Sequence, residues 1–229
     1  MKMLSNFLHA YGRTIALREK GRPEAKQKFQ PAIAVSREVG SGGRLVAQAL
    51  ADKLGFQLCD KSILQQIAAR NNVPKDLIEL LDECPGRSLE IFGASLMRGV
   101  SFSHSDFDRF LRATINALLE LGSVVIVGRG AVCLARPGQA LRLRIVAPLE
   151  MRIKNYAGYE KITETESRKR LKAIEAERAK FMRRFFGRSS AVSHAFDLAI
   201  NTEGISIDTA VGMSLEAYHR ICKCKQHAG

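Results

Sequence analysis

Residues 32–52 read Ala-Ile-Ala-Val-Ser-Arg-Glu-Val-Gly-Ser-Gly-Gly-Arg-Leu-Val-Ala-Gln-Ala-Leu-Ala-Asp, and this stretch decides the fold. Ile33 to Val35 form a short apolar run, the length of a buried strand. Gly40, Ser41, Gly42 and Gly43 then supply a turn almost without side chains. From Arg44 onward, Leu45, Val46, Ala49, Leu50 and Leu54 recur at helical spacing and predict a helix with these residues on its core face. Strand, glycine turn and helix in that order build a phosphate site. The turn's N–H groups converge, and the first helical turn adds unbonded donors and a positive dipole end. A Cβ in such a turn would obstruct both the phosphate and the positive φ angles that the turn needs.

The stretch departs from the P-loop pattern of glycine, four residues, glycine, lysine and then serine or threonine. With Gly42 as the second glycine, Arg37 stands at the first, Gly43 at the lysine and Arg44 at the hydroxyl position. A shift by one puts Arg44 at the lysine position, Glu38 at the first glycine and Leu45 at the hydroxyl position. Either way a cation follows the glycines and the usual magnesium-binding hydroxyl is missing. Ser41 is the one hydroxyl inside the loop and the candidate magnesium ligand.

Outward from this stretch, strands and helices alternate. Residues 1–20 carry Leu4, Phe7, Leu8, Tyr11 and Ile15 at helical spacing, with basic residues off that stripe, and predict an amphipathic helix. Residues 21–31 are a polar linker closed by Pro31. A second strand is expected at 56–59, with Asp60 and Lys61 at its carboxyl end, where α/β sheets place ligand-binding groups. Short helices follow, and then a strong one that Ser105 and Asp108 would cap. Val124–Val127 are wholly apolar, like a strand buried on both faces of a parallel sheet. They run into Gly128-Arg129-Gly130, which places Arg129 where its guanidinium can fork onto a phosphate. Further strands are expected at 141–146 and 196–200.

Between those two strands, Thr163 and Glu166 would cap a helix running to Phe186. It is dense in charge and includes Glu175, Arg178 and Arg184. It reads either as a solvated face or as a mobile lid that brings arginines onto a transferred phosphate. The elements add up to a three-layer α/β/α sandwich of the P-loop NTPase type, with about five mostly parallel strands. Residues 1–31 form an N-terminal helix and linker, and residues 32–229 form the main domain. Within that domain, 61–121 and 149–190 are helical insertions over the carboxyl edge of the sheet.

The bulk properties narrow the function classes. A formal net charge of +13 calls for an anionic partner: nucleotide phosphates, nucleic acid or an acidic membrane surface. No apolar run approaches the roughly 20 residues of a membrane span, so a soluble protein is expected. Five scattered cysteines make a reduced, cytoplasmic pattern rather than a disulfide framework. The terminal His219, Cys222, Cys224 and His227 lack the spacing of a common zinc module and read as a solvated tail.

Several runs, in order, resemble the cytidylate kinase-like family: Ala-Val-Ser-Arg-Glu-Val-Gly-Ser-Gly-Gly-Arg at 34–44, Cys59-Asp60-Lys61, Val-Ile-Val-Gly-Arg-Gly-Ala at 125–131, Glu175-Ala-Glu-Arg178 and Phe-Asp-Leu-Ala-Ile-Asn-Thr at 196–202. The resemblance covers roughly residues 32–220. It implies a nucleoside monophosphate kinase fold, ATP with Mg2+ as donor, and a pyrimidine monophosphate such as CMP or dCMP as acceptor. On that resemblance Gly40 to Arg44 hold the donor phosphates, Arg129 holds the acceptor phosphate and Arg178 reaches in from the lid. Cytidylate kinases proper show a P-loop lysine where this chain has Gly43-Arg44-Leu45, an aspartate where it has Gly130, and more often an aspartate at Glu175.

Two other readings stay open. One is a nucleotide-binding sensor without catalysis, suggested by the missing hydroxyl and carboxylate. The other is a nucleic-acid binder using the basic helix and basic amino terminus, against which stand 7% aromatics and no recognisable module. The N-terminal helix would dock on the domain or on a second subunit to make a homo-oligomer.

Overall fold

The computed structural model of the protein describes residues 30–60, 104–187 and 195–226. The expected helix at 1–20, Lys61, the short helices after it and His227 lie outside these residues, as does the side chain of Cys224. Five strands form one sheet in the order β2-β3-β1-β4-β5, with β1 (Ala32–Arg37) at its centre. Its other members are β2 (Gln57–Cys59), β3 (Val124–Val127), β4 (Ala140–Val146) and β5 (Leu198–Asn201). All four ladders are parallel, so every strand delivers its carboxyl end to the same edge.

Each strand of the central pair is apolar on both faces because helices cover both. Ile33 and Val35 of β1 pack with α1 (Gly43–Leu54) and α6 (Ile207–Gln226), through Val46, Leu50, Val211 and Tyr218. Ala32 and Ala34, on the alternate face, pack with α2 (His104–Leu121) and α3 (Ala131–Leu134), through Leu111, Ile115, Leu118 and Ala131. α4 (Leu149–Glu160) and α5 (Glu164–Phe186) form a hairpin, joined where the buried Ser167 hydroxyl donates to the Ile153 carbonyl at 2.8 Å. Phe181 and Phe185 of α5 lie against the α2–α3 core.

Most expected elements shift by only a residue or two. One assignment within α1 is corrected: Leu45 is 61% exposed, whereas Val46 and Leu50 are buried as expected and Ala47 and Ala51 are buried beside them. The helix begins at Gly43, so its inward arc starts one residue later than the apolar pattern indicated. The short α3 was not expected. Among the described residues, no helix is long and apolar enough to cross a membrane.

Candidate active site

The glycine loop leaves β1 and is pinned from below. Glu38 donates its N–H to the Ile145 carbonyl at 3.1 Å, and the Thr202 hydroxyl donates to the Ser41 carbonyl at 2.9 Å. Gly40 and Gly42 adopt φ of 78° and 77°, and Gly42 caps α1 without any side-chain hydrogen bond. A Cβ on Gly40 would collide with the main-chain carbonyl of Arg152, and one on Gly43 would come within 2.5 Å of the Arg37 Cβ. The first turn of α1 carries no acidic residue, so its donors and positive dipole end stay suited to an anion.

Ser41 does not face the loop's opening. It is 1% exposed, and its hydroxyl points to the carbonyls of Glu38 at 2.9 Å and Ile145 at 3.3 Å. It braces the loop from within. Arg44 is exposed at the start of α1, where its guanidinium lies 3.2 Å from the Asp60 carboxylate at the end of β2. These two predicted residues therefore meet each other.

Beside the loop, at the carboxyl ends of β1 and β3, lies a cavity of about 560 Å³. The chain leaves β1 toward α1 on one face of the sheet and leaves β3 toward α3 on the other. Such a divergence opens a crevice at the strand ends. The lining includes Arg37, Arg129, Arg144, Arg152, Arg178 and Arg183, against Glu38 and Glu175. Six guanidinium groups facing two carboxylates leave a formal excess of four positive charges.

Arg129 is 5% exposed and holds a left-handed φ of 57° between Gly128 and Gly130 at 78° and 68°. That run of left-handed residues turns the chain sharply, and the Arg129 side chain stays in the cavity wall. At Gly130 a Cβ would collide with the Phe186 ring. Phe186 thus fills the space into which an aspartate would project. Cys133 sits in the same wall, and burial pushes its thiol above the ordinary range, with Arg112 pulling weakly the other way.

The profile of the cytidylate kinase-like family matches residues 32–204. The chain belongs to the cytidylate kinase-like family. No curated protein sequence matches it significantly. Among solved structures, an uncharacterized protein from Eubacterium ventriosum is 22% identical, with a TM-score of 0.59 over 83% of this chain and 99% of the other. A gluconokinase from Sinorhizobium meliloti is 12% identical, with a TM-score of 0.49 over 89% and 99% of the two chains. A shikimate kinase from Acinetobacter baumannii is also 12% identical, with a TM-score of 0.46 over 82% and 92%.

Of the residues singled out by sequence, this cytidylate kinase-like chain gathers Arg37, Arg129, Glu175 and Arg178 in the cavity wall. Gly40, Ser41, Gly42, Gly43, Arg44 and Asp60 belong to the loop side and are not part of that lining. Arg184 is exposed, its guanidinium 5.7 Å from the Phe185 ring centre, and the neighbouring Arg183 lines the cavity instead. Glu38, Arg144, Arg152 and Arg183 were missed. Arg144 had a readable signal: Leu141-Arg-Leu-Arg-Ile145 alternates with period two, which places both arginines on one sheet face. Arg142 of that pair binds Asp197 at 2.5 Å, which raises its own affinity for its proton.

Proposed function

We propose that the protein transfers the γ-phosphate of ATP to a pyrimidine nucleoside monophosphate such as CMP or dCMP. The observation that carries the proposal is the arginine-lined cavity at the ends of β1 and β3, directly beside a glycine loop that heads a helix. Phosphoryl transfer needs in-line placement and positive charge around a metaphosphate-like group, and little covalent chemistry from the protein. In this reading Arg37, the amides of Gly40–Gly43 and Arg44 hold the donor phosphates. Arg129 forks onto the acceptor phosphate, and Arg178, together with Arg183, reaches the transferred group from α5. Asp60 and Lys61 follow β2 in the chain and belong to the acceptor side, and the Asp60 carboxylate, paired with Arg44, also links that side to the donor loop.

An acceptor phosphate oxygen attacks the γ-phosphorus, the bond to the β–γ bridging oxygen breaks, and ADP leaves. With a second pKa of about 6, the acceptor phosphate is already mostly dianionic at neutral pH, so no general base is required. Mg2+, carried on the ATP phosphates and keeping several waters, would neutralise the charge that develops there. With its hydroxyl turned inward, Ser41 would not hold the ion in this reading.

A panel of nucleoside monophosphates with ATP and Mg2+, followed by ADP release, tests the proposal. Turnover with CMP or dCMP should exceed ATP hydrolysis alone. Absence of turnover with every monophosphate, in folded protein, would end it. The second reading, a nucleotide sensor without catalysis, draws on the inward Ser41 and on Phe186 at Gly130. ATP binding without any turnover would select it.

A further inference from the structure

We propose that Arg152 is a positioning residue that couples the phosphate loop to the lid helix α5, a role that rests on the kinase reading above. Arg152 stands in the first turn of α4, its side chain 9% exposed in the cavity wall. Its Nε donates to the Ala147 carbonyl at 3.0 Å and lies 3.4 Å from the Glu38 carboxylate of the loop. Its Nη1 bonds to Glu175 of α5. Its own main-chain carbonyl rests on Gly40, and Asn155, one turn further along α4, donates to the Gly40 carbonyl at 2.9 Å. One residue therefore touches the loop through both backbone and charge, and the lid through charge.

Stability alone does not account for this arrangement. Burying a guanidinium is costly, and a buried ion pair rarely outperforms apolar groups of similar volume. What a planar fork supplies is direction: it can fix two carboxylates from two different elements at a set angle, which an ammonium cannot. Glu38 is held in turn by Arg144 at 3.4 Å and by the Ala147 N–H at 3.3 Å. These two arginines and two glutamates balance one another's charge within the network. The positive excess of the lining then rests on Arg37, Arg129, Arg178 and Arg183.

Glu175 lies three residues before Arg178 on α5, and residues three apart share a helix face. The Arg152–Glu175 contact therefore sets how Arg178 is presented to the cavity. Removing it leaves α5 helical, because Thr163 still caps it and Phe181 and Phe185 still pack. The arginine register against the loop is then no longer fixed.

Glu175→Ala, Glu175→Asp, Arg152→Lys and the double variant Glu175→Ala/Arg152→Lys test this by steady-state kinetics, melting temperature and hydrogen exchange over residues 164–186. Glu175→Ala should lower turnover at saturation by about tenfold or more, with the KM for ATP within about twofold, since the interaction acts in the transition state. Its melting temperature should hold within about 2 °C, because the Glu175 side chain is 37% exposed. Exchange around residues 175–183 should quicken, and Glu175→Asp should restore part of both effects. The double variant should lose little more than the worse single one, as expected for partners in one contact. Unchanged turnover in Glu175→Ala, or additive losses, would overturn the role. If the unmodified protein turns over no monophosphate, the kinase reading fails by itself. Exchange then still decides the coupling, and unchanged exchange in Glu175→Ala would overturn it.

Discussion

At the scale of single residues, two departures from the pattern of cytidylate kinases proper have a physical explanation. Gly130 is a glycine because Phe186 packs where its Cβ would go and because its φ of 68° favours a residue without one. Gly130→Asp should therefore destabilise the protein by about 1–3 kcal/mol through overpacking and backbone strain, rather than restore a missing carboxylate. Chemical denaturation measures the loss, and a second change, Phe186→Ala, should recover part of it. Arg44 is the other departure. A cation at a helix start is mildly unfavourable, and Asp60 offsets that penalty from outside the helix. An exposed pair of this kind contributes little to stability. Arg44→Ala should thus leave the melting temperature where it is and weaken ATP binding by about tenfold, the loss of one charge-assisted bond. Titration calorimetry with ATP, alongside thermal melting, checks both halves. Unchanged ATP affinity would return Arg44 to a surface role.

At the scale of elements, α5 shows how far local sequence reaches. The Glu166 N–H donates to the Thr163 hydroxyl at 3.2 Å, as the Thr-x-x-Glu spacing predicts. The Glu166 carboxylate is engaged by Arg170 at 2.7 Å, so only the threonine half of the capping box forms. Thr163→Ala should cost about 1 kcal/mol, read as a lower melting temperature, whereas Glu166→Ala should cost much less. Caps, apolar periods and glycine stops depend on neighbours in the chain, and they located α5, α1 and β3 from sequence alone. The Arg152–Glu38–Glu175 network depends on three separate elements and has no local signature. The choice between Arg183 and Arg184 turns on a rotation of one residue about α5, which a thin apolar stripe does not fix. Leu45 failed for a related reason: the helix began at Gly43, and its apolar arc alone could not show which edge would stay in solvent.

At the scale of the whole molecule, the two faces of the sheet do different work. The α2–α3–α5 side borders the cavity, while on the other face α1 and α6 pack over the centre of the sheet. Tyr218 is the tie on the α1–α6 side. It is 1% exposed, its ring meets Phe56 edge-on with centroids 5.8 Å apart, and its hydroxyl donates to the Pro31 carbonyl at 2.8 Å. One side chain on α6 thereby anchors the segment that leads into β1. Tyr218→Phe keeps the ring and strands that carbonyl without its donor. The expected loss is about 1–3 kcal/mol, and on the kinase reading acceptor affinity should not change, because Tyr218 is not part of the cavity lining. The loss should depend on pH in a defined direction. Burial, reinforced by the neighbouring Cys222, pushes the Tyr218 hydroxyl well above the ordinary tyrosine range. The folded protein therefore keeps the phenolic proton where the unfolded chain, with a tyrosine pKa of about 10, gives it up. This contribution is complete below about pH 10 and diminishes as the pH rises beyond it, because ionisation then favours the unfolded state. Phenylalanine has no such proton. The stability gap between the two proteins, measured by denaturation at pH 8 and again above pH 10, should narrow at the higher pH. A constant gap would mean that the Tyr218 hydroxyl ionises as readily in the fold as outside it.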